Sequence, residues 1–355
     1  KSEILFLFHG GEPSLLKNEW YETAISYAQE VAKRYCKRVK FSMQTNLFSV
    51  SAAKIDLFKK YNIHLGVSLD GVAHTAQTQR SGESKVFENY LRIKQAGLKA
   101  GILTTINHSN YNQFDKLCPW LVEHAQIKNF KANVVTPVGR GVEMKSLLPE
   151  QVFQAQKSII DFMLATNGAL IEENLRTEII RFFEGRTEAE TLCHEQQCGA
   201  GSKVLGITPQ GKLLPCGRFQ WNDTPFFLGS IQETQLADFE SKRTEFHHLV
   251  PENWYNCSSC EAKKICGFGC QAFIVRSKQQ ANVDCLPTKM RFAYFKQKEK
   301  ELRKLYKLIK QEAQHPKTPQ SLQFRIKDEN GNLKSYTLPL KKEKWFHRLF
   351  ETISH

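Results

Sequence analysis

A dense group of cysteines restricts the possible folds of this chain more than any other feature of its sequence. Four cysteines fall within the fourteen residues from Cys257 to Cys270. Eight of the ten cysteines lie within about one third of the chain, and these are Cys193, Cys198, Cys216, Cys257, Cys260, Cys266, Cys270 and Cys285. Eight thiolates are sufficient for two complete four-cysteine sites.

Three interpretations of these cysteines compete: disulfides, zinc sites and iron–sulfur clusters. Closely spaced cysteines in a large, lysine-rich chain without a secretion signal indicate metal rather than disulfides. Compact zinc knuckles need two C-x2-C pairs for each site, and here Cys257 and Cys260 form the one pair with that spacing. Uneven spacings of two, five and three residues favour iron–sulfur cubanes, in which neighbouring cysteines serve different clusters. We therefore expect iron–sulfur clusters, with zinc as the alternative.

Composition describes a basic globular protein. The 355 residues carry a formal net charge of +14, and 41% of them are hydrophobic. Apolar runs are too short for a membrane span, and the first residues lack the apolar core of a secretion signal, so we expect a cytoplasmic protein without a membrane partner. Much of the excess positive charge follows Phe295, and no nucleic-acid motif is visible. We expect no nucleic-acid partner, while an acidic peptide partner stays open.

Ahead of the cysteines, strands and helices alternate as in a parallel α/β array. Strands are predicted at residues 4–8, 39–44, 63–69, 102–107 and 129–135. Helices are predicted at 18–35, 52–61 and 85–95, after the fourth strand up to Pro119 or beyond, and at 150–166 and 172–183. The run at residues 4–8 is apolar throughout, which predicts a strand buried on both faces. In α/β barrels, polar residues at the ends of the strands line the active mouth. The polar or glycine-rich strand ends here are Gly10-Gly11-Glu12, Gln44-Thr45-Asn46, Ser68–Asp70, Asn107 and Gly139–Gly141.

The remainder of the chain no longer shows alternating strands and helices. A short hairpin is predicted across residues 204–214, and one charged helix at 290–314. A second hairpin is predicted at residues 322–338, and a terminal helix at 345–353. We predict three parts: a partial barrel at 1–185, a cysteine-rich domain with a C-terminal helix at 186–314, and an extension at 315–355.

The strand ends resemble the signatures of radical S-adenosylmethionine enzymes. The segment from Phe8 to Pro13 contains a Gly-Gly-Glu motif, and Gln44-Thr45-Asn46 and Gly66–Gly71 resemble the signatures at the next two strand ends. The resemblance implies that S-adenosylmethionine is bound by Gly10, Gly11, Glu12, Gln44, Asn46, Ser68, Arg80 and Asn107. Val72 stands where proline is usual, and the usual histidine ahead of Arg80 is absent. Asp70 and Arg80 are the candidate catalytic residues, although Asp70 is equally well explained as a turn residue.

The cysteine region is similar to the SPASM extension of a subset of these enzymes. Its pattern is Cys, Gly-x4-Cys, C-x2-C-x5-C-x3-C and a last Cys, and this chain matches it from Cys198 to Cys285. The resemblance extends over about residues 3–310. It implies a first auxiliary [4Fe-4S] cluster on Cys193, Cys198, Cys216 and Cys270, and a second on Cys257, Cys260, Cys266 and Cys285.

The resemblance also implies a third, catalytic [4Fe-4S] cluster on a C-x3-C-x2-C loop ahead of the Gly-Gly-Glu strand. The sequence begins at Lys1 and contains no such triplet. We therefore expect a (β/α)6 barrel that lacks its first strand, with five of six strands present. In this form the chain is expected not to cleave S-adenosylmethionine, because the cluster that reduces it has no anchor.

For the full-length enzyme, the resemblance implies reductive cleavage of S-adenosylmethionine to a 5′-deoxyadenosyl radical. This radical takes hydrogen from a side chain of a ribosomally made precursor peptide, which then forms a C–C or thioether cross-link. A flavodoxin or ferredoxin is the expected electron donor. Sulfatase maturases, which form formylglycine, carry an Asp directly after the Gly-x4-Cys cysteine, where this chain has Gly217. A sulfatase maturase, an inactive peptide-binding relative and a zinc-binding nucleic-acid protein are the alternatives.

Overall fold

The computed structural model describes residues 3–71, 82–135, 145–185, 198–219, 226–248, 257, 259–267, 269–276, 284–314, 321–327 and 333–339. Six strands of the first half form one parallel sheet, in which their spatial order is their order in the sequence. The strands are β1 (Glu3–Phe8), β2 (Arg38–Thr45), β3 (His64–Ser68), β4 (Ala100–Ile106), β5 (Asn129–Val134) and β6 (Ile171–Glu172). The predicted α/β class with a partial parallel barrel is confirmed.

The prediction of five strands was one too few. The sixth strand, β6, has two residues, and Ile171 pairs with Asn129 of β5. Two residues are too short for a periodic signal, so the sequence pattern assigned Glu172 to the following helix. Instead, the buried Glu172 carboxylate accepts hydrogen bonds from the backbone N–H groups of Ala132, at 2.9 Å, and Leu175, at 2.7 Å. It thereby caps the helix and joins it to β5.

The expectation that β1 is buried on both faces was wrong. Leu5 and Leu7 are 61% and 55% exposed, and Ile4 and Phe6 on the opposite face are also exposed. Among the described strands, β1 pairs with β2 alone, so it forms an edge of the sheet. An apolar run predicts a parallel strand, but it does not reveal whether that strand is central or at an edge.

Six helices follow these strands within a few residues of their predicted bounds. They are α1 (Asn18–Arg34), α2 (Ala52–Lys60), α3 (Glu83–Gln95), α4 (Phe114–Glu123), α5 (Pro149–Ala165) and α6 (Glu173–Glu184). Helix α4 continues through Pro119. Between the helices and the sheet lies the main core, in which Tyr21, Tyr90 and Phe114 are fully buried.

The cysteine region has its own small sheet and its own apolar cluster. Strands β7 (Gly206–Ile207), β8 (Lys212–Leu214) and β9 (Gly229–Ser230) pair antiparallel, and helices α7 (Leu236–His248) and α8 (Gln271–Arg276) follow. The predicted hairpin at residues 204–214 is thereby confirmed. Its apolar cluster consists of Ala200, Leu214, Phe219, Phe226, Phe246 and Ala272.

The predicted helix at residues 290–314 is in fact two helices. Helix α9 (Cys285–Gln297) starts five residues before the predicted helix, and α10 (Glu299–Gln314) follows after Lys298. Phe295 and Leu302 are fully buried in the main core. The helices after the cysteines therefore pack against the barrel, and the domain limits at 185 and 314 stay a prediction.

A terminal hairpin is confirmed by β10 (Ser321–Lys327) and β11 (Leu333–Pro339), which pair antiparallel from Ser321–Pro339 to Lys327–Leu333. Its turn and the predicted helix at 345–353 lie outside the described residues. None of the described helices is both long enough and apolar enough to cross a membrane.

Candidate functional site

The Glu12 carboxylate joins the ends of β1 and β2. It accepts hydrogen bonds from Thr45 Oγ1 at 2.6 Å and from the Asn46 backbone N–H at 2.7 Å. It also accepts a 3.0 Å bond from the Ser14 N–H, which caps the short 3-10 helix Pro13–Leu15. Three protein donors therefore hold this carboxylate in place. Glu12 therefore links the ends of β1 and β2 through hydrogen bonds.

Just ahead of Glu12, the backbone at Gly10 and Gly11 is open. Both glycines have positive φ angles, +87° and +53°, and a Cβ atom added at either would meet no other atom within 4 Å. Glycine adopts this conformation without a steric penalty. The bare backbone thus leaves space in which a small ligand can approach main-chain N–H and C=O groups.

Tyr21 of α1 holds the segment after Glu12 in place, a role that its sequence position did not indicate. Its hydroxyl donates a 2.6 Å hydrogen bond to the carbonyl of Pro13. Burial, and then the nearby Glu12 carboxylate, raise the pKa of Tyr21 to about 12, so the hydroxyl remains protonated and able to donate. Tyr21 lies on the buried face of α1, and that position in a helix does not by itself indicate this hydrogen bond.

The next two strand ends are joined by a side-chain hydrogen bond. Gln44 Nε2 donates to Ser68 Oγ at 2.9 Å, across the ends of β2 and β3. The Gln44 side chain lies over Gly66, where an added Cβ would be 2.3 Å from Gln44 Oε1. Asn46 is exposed, and its side-chain oxygen accepts a hydrogen bond from the Phe48 N–H. The structure therefore brings the predicted residues Gln44, Asn46 and Ser68 to one edge of the sheet.

The remaining strand-end residues are engaged in local structure. Asp70 is buried, and its Oδ1 accepts a 2.7 Å hydrogen bond from the Thr105 N–H of β4. Asn107 is also buried; its amide donates to the Thr105 carbonyl and accepts from the Ser109 N–H. Asp70 therefore joins the end of β3 to β4, whereas Asn107 orders the turn directly after β4. Arg80 and Gly139–Gly141 lie outside the described residues.

Arg218 of the cysteine region influences His9, which precedes the Gly-Gly-Glu motif. Although His9 remains partly exposed, removal from water, and then the Arg218 charge, lower the pKa of its imidazole. Arg218 stands two residues after Cys216, and its backbone N–H lies 3.5 Å from the Cys216 sulfur. The charge of Arg218 therefore disfavours protonation of His9.

The cysteines assigned to the first auxiliary cluster share one environment. Cys198, Cys216 and Cys270 are partly buried and pack against the apolar cluster around Phe219. The fourth predicted ligand, Cys193, lies outside the described residues. Three distant positions in the sequence thus meet on one surface.

The second set of cysteines surrounds the contact between α9 and a short 3-10 helix. Cys260 and Cys266 flank this helix, Glu261–Lys264, and Cys285 begins α9. The two helices contact each other, and Lys296 of α9 forms a 2.8 Å ion pair with Glu261. Cys257 precedes this segment, and the Cys260 N–H donates to its carbonyl at 3.2 Å.

The described cysteines form no disulfide, and they are not gathered around a single metal ion. None of the nine cysteines within the described ranges forms a disulfide, and seven of them are partly buried. Within the same ranges, no three His, Cys, Asp or Glu side chains are close enough to hold a single metal ion. The apolar surroundings of the first set suit an iron–sulfur cluster, because cysteine thiolates hold such clusters and a hydrophobic shell limits the access of water.

A buried ion pair that the sequence did not indicate joins α6 to α9, the helix that begins at Cys285. Arg291 of α9 forms two 2.6 Å hydrogen bonds with Glu178 of α6, and both residues are buried. A charged residue between Thr288 and Phe295, on the buried side of a helix, is the signal that could have found it.

Relatives of this chain are known. An uncharacterized protein of Synechocystis is 35% identical over 76% of this chain and 71% of its own length. A cysteine-type anaerobic sulfatase-maturating enzyme of Clostridium perfringens is 24% identical over 75% of this chain and 73% of its own. A PqqA peptide cyclase of Granulibacter bethesdensis is 24% identical over 75% and 69%. No protein-family model matches the chain.

Solved structures share the fold. The anSMEcpe structure with bound AdoMet and the Cp18Cys peptide superposes with a TM-score of 0.72 at 18% identity, over 87% of each chain. SuiB of Streptococcus suis, bound to its precursor peptide SuiA, gives 0.55 at 19% identity over 80% of this chain and 64% of SuiB. The parallel sheet, the glycine-rich strand end and these relatives define an enzyme class. The chain belongs to the radical S-adenosylmethionine enzymes of the SPASM type, a family of maturases.

Proposed function

We propose that the full-length protein is a peptide maturase that forms a C–C or thioether cross-link within a ribosomally made precursor peptide. The observation that carries this proposal is the residue directly after Cys216. By the family pattern, a sulfatase maturase has an Asp there, whereas Gly217 is exposed and has open space around it. Cross-link formation removes two hydrogens and needs no general base at this position, and the likeness to a PqqA peptide cyclase supports it.

S-adenosylmethionine, when bound, supplies the radical that removes hydrogen from a substrate carbon. Residues at the strand ends suit the separate parts of this cofactor. The Glu12 carboxylate already accepts three hydrogen bonds from the protein. We therefore assign the methionine ammonium to main-chain carbonyls at Gly10 and Gly11, where the backbone is open. Ser68, positioned by Gln44, would meet the ribose. Arg80 is proposed for the methionine carboxylate.

The eight clustered cysteines are proposed to hold two auxiliary [4Fe-4S] clusters. The first set is Cys193, Cys198, Cys216 and Cys270, and the second set is Cys257, Cys260, Cys266 and Cys285. Packing of Cys198, Cys216 and Cys270 against one apolar cluster supports the first grouping. The contact between α9 and the 3-10 helix supports the second. Zinc is distinguished by metal analysis, since bound iron and sulfide give a brown protein.

An acidic redox protein is the proposed electron donor. The chain carries a formal net charge of +14, and flavodoxins or ferredoxins of opposite charge would be attracted to it. The same charge suits an acidic precursor peptide.

The test is co-expression of the full-length gene product with each short peptide encoded beside its gene, followed by mass spectrometry. A cross-linking maturase yields a peptide lighter by two hydrogens whose fragment ions are missing between the joined residues. An unchanged mass with every such peptide, from an iron-loaded enzyme that consumes S-adenosylmethionine, would refute the proposal.

The sulfatase-maturating function is the second candidate, because a relative at 24% identity carries that name. Its product, formylglycine, reacts with hydrazide reagents, whereas a cross-link does not. A sulfatase-derived cysteine peptide therefore serves as the comparison substrate. Hydrazide labelling of this peptide after incubation would favour the second candidate over the first.

A further inference from the structure

His108 stands just beyond the end of β4, which ends at Ile106. Its ring lies parallel to that of Tyr111, with 6.0 Å between the centroids and 6° between the planes. Tyr111 in turn packs against the main core. His108 Nδ1 is buried and has no hydrogen-bond partner in the described part of the chain, although the side chain as a whole is partly exposed. Nε2 is therefore the nitrogen that a ligand can reach.

The turn that carries His108 is held by two amide side chains. Asn107 Oδ1 accepts a 2.8 Å hydrogen bond from the Ser109 N–H, on the other side of His108. The fully buried Asn110 accepts a 2.9 Å bond from the Asn107 N–H and donates one of 2.9 Å to the Thr105 carbonyl of β4. The imidazole is thus fixed in place before any ligand binds, and this preorganisation lowers the entropic cost of a contact with it.

The end of β4 belongs to the same edge of the sheet as the other strand ends of the site. Strands β3 and β4 are parallel neighbours, paired as far as Ser68 with Leu103, so their carboxyl ends lie side by side, about 4.8 Å apart. In the strand order, β4 lies beyond β3 when counted from β1 and its glycines. S-adenosylmethionine is proposed to extend from Gly10 and Gly11 to Ser68. The space at the end of β4 is therefore left for the substrate.

The burial of Nδ1 also indicates which nitrogen of the neutral imidazole carries the hydrogen. Neutral imidazole has one protonated nitrogen and one bare nitrogen. A buried N–H without an acceptor costs free energy, and such orphaned donors are rarer in proteins than acceptors that lack a donor. The bare nitrogen of His108 is therefore the buried Nδ1, and the accessible Nε2 carries a hydrogen that it can donate. A donor at this place suits an oxygen acceptor, and a peptide backbone presents one carbonyl oxygen at every residue.

We propose that His108 is a substrate-binding residue whose Nε2–H donates a hydrogen bond to a backbone carbonyl of the precursor peptide. This inference rests on the proposed function, which supplies the peptide. A small number of well-placed polar groups is what fixes the orientation of a ligand in its site. Because the acceptor belongs to the main chain, the contact sets where the peptide lies at the mouth and does not select its side chains.

The experiment measures peptide binding without turnover. Full-length, anaerobically reconstituted protein is titrated into each fluorescently labelled short peptide encoded beside its gene, with S-adenosylmethionine present and reductant absent, and fluorescence anisotropy gives Kd. His108→Phe keeps a ring against Tyr111 but has no N–H. His108→Gln places an amide N–H near the position of Nε2.

His124→Phe is the matched control. His124 also stacks on an aromatic ring, that of Trp120, with 5.8 Å between the centroids and 12° between the planes. It follows the end of α4, which returns the chain from the end of β4 to the start of the parallel strand β5. The control histidine therefore lies at the opposite edge of the sheet from His108.

We expect His108→Phe to weaken peptide binding about five- to tenfold, the effect of one lost hydrogen bond, and His108→Gln to retain the affinity within about twofold. His124→Phe should bind the peptide like the wild type. The Kd for S-adenosylmethionine, measured without peptide, should be the same in every variant.

An unchanged peptide affinity in His108→Phe would overturn the assignment of His108, and so would a His108→Gln variant as weak as His108→Phe. A loss of S-adenosylmethionine binding in His108→Phe, or an equal loss of peptide binding in His124→Phe, would overturn it as well. Failure of the wild-type protein to bind any of the peptides would instead refute the proposed function.

Discussion

The barrel mouth and the cysteine region achieve order in different ways. At the mouth, Glu12, Thr45 and Gln44 are hydrogen-bonded across neighbouring strands of a six-stranded sheet. In the cysteine region, β7 and β9 have two residues each, and the apolar cluster has six buried members. The mouth is therefore arranged by its sheet before any ligand arrives.

This difference indicates that a bound metal would contribute to folding mainly in the cysteine region. Parallel strands fix the relative positions of their ends, so a site at that edge needs few additional contacts. A region with short strands and a small core depends on staples such as metal–thiolate bonds. The predictions below test whether this division between the two regions is real.

Removal of iron should produce the largest effect, and it should be confined to the cysteine region. If the proposed clusters are bound, we expect residues 198–276 to lose roughly 5 kcal/mol or more of protection against local opening, because metal–thiolate bonds contribute directly to folding. Strands β2 to β5 should remain protected. Hydrogen exchange with mass spectrometry, before and after anaerobic chelation, measures both. An equal loss of protection in the barrel would contradict the comparison.

Arg291→Met should destabilise the chain by about 3–5 kcal/mol, because it leaves Glu178 buried without its partner. The double variant with Glu178→Met should recover most of this loss. Denaturant unfolding measures both, and Arg303→Met, at an exposed ion pair, should change stability by less than about 1 kcal/mol. A double variant as unstable as Arg291→Met would show that the loss of stability does not come from the unpaired charge of Glu178.

The pH dependence of barrel stability should arise in part from Glu172. Burial raises its pKa to about 7 from 4.5, so the folded chain holds this proton more tightly than the unfolded chain. The resulting stabilisation is complete below about pH 4.5 and is lost as the pH rises through 7, on the order of 3 kcal/mol in total. Unfolding of apo protein at pH 5 and pH 8 measures it. Glu172→Gln should show a flatter dependence, and an unaltered slope would exclude this carboxyl as the source.

Glu12→Gln should have the smallest effect on stability, about 1–2 kcal/mol, because one of three hydrogen bonds is replaced by opposed donors. The Asn46 amide should exchange faster, while the cysteine region keeps its protection. Glu30→Gln, at an exposed pair with Arg34, is the control. Faster exchange throughout residues 198–276 would indicate that the two regions are coupled more tightly than the comparison assumes.

The sequence predicted the mouth better than the cysteine region. Apolar runs that end in polar residues located Glu12, Gln44 and Ser68, because parallel strands place their carboxyl ends at one edge. Nothing in such a run distinguishes an edge strand, so the exposure of Leu5 was missed. Contacts between residues far apart in sequence, such as Glu178 with Arg291, leave no periodic signal. Spacing identified the cysteines, but their packing depends on tertiary contacts around Phe219.

Two glycines paired across β3 and β4 differ in how much substitution they tolerate. Gly66 and Gly101 are partners in the register, yet a methyl group at 101 would enter open space, whereas one at 66 would meet the Gln44 amide oxygen. In a saturation library, alanine should therefore be accepted freely at 101. Any functional clone with a side chain at 66 must have turned the Gln44 amide away from Ser68, so this single position reports whether that contact is required.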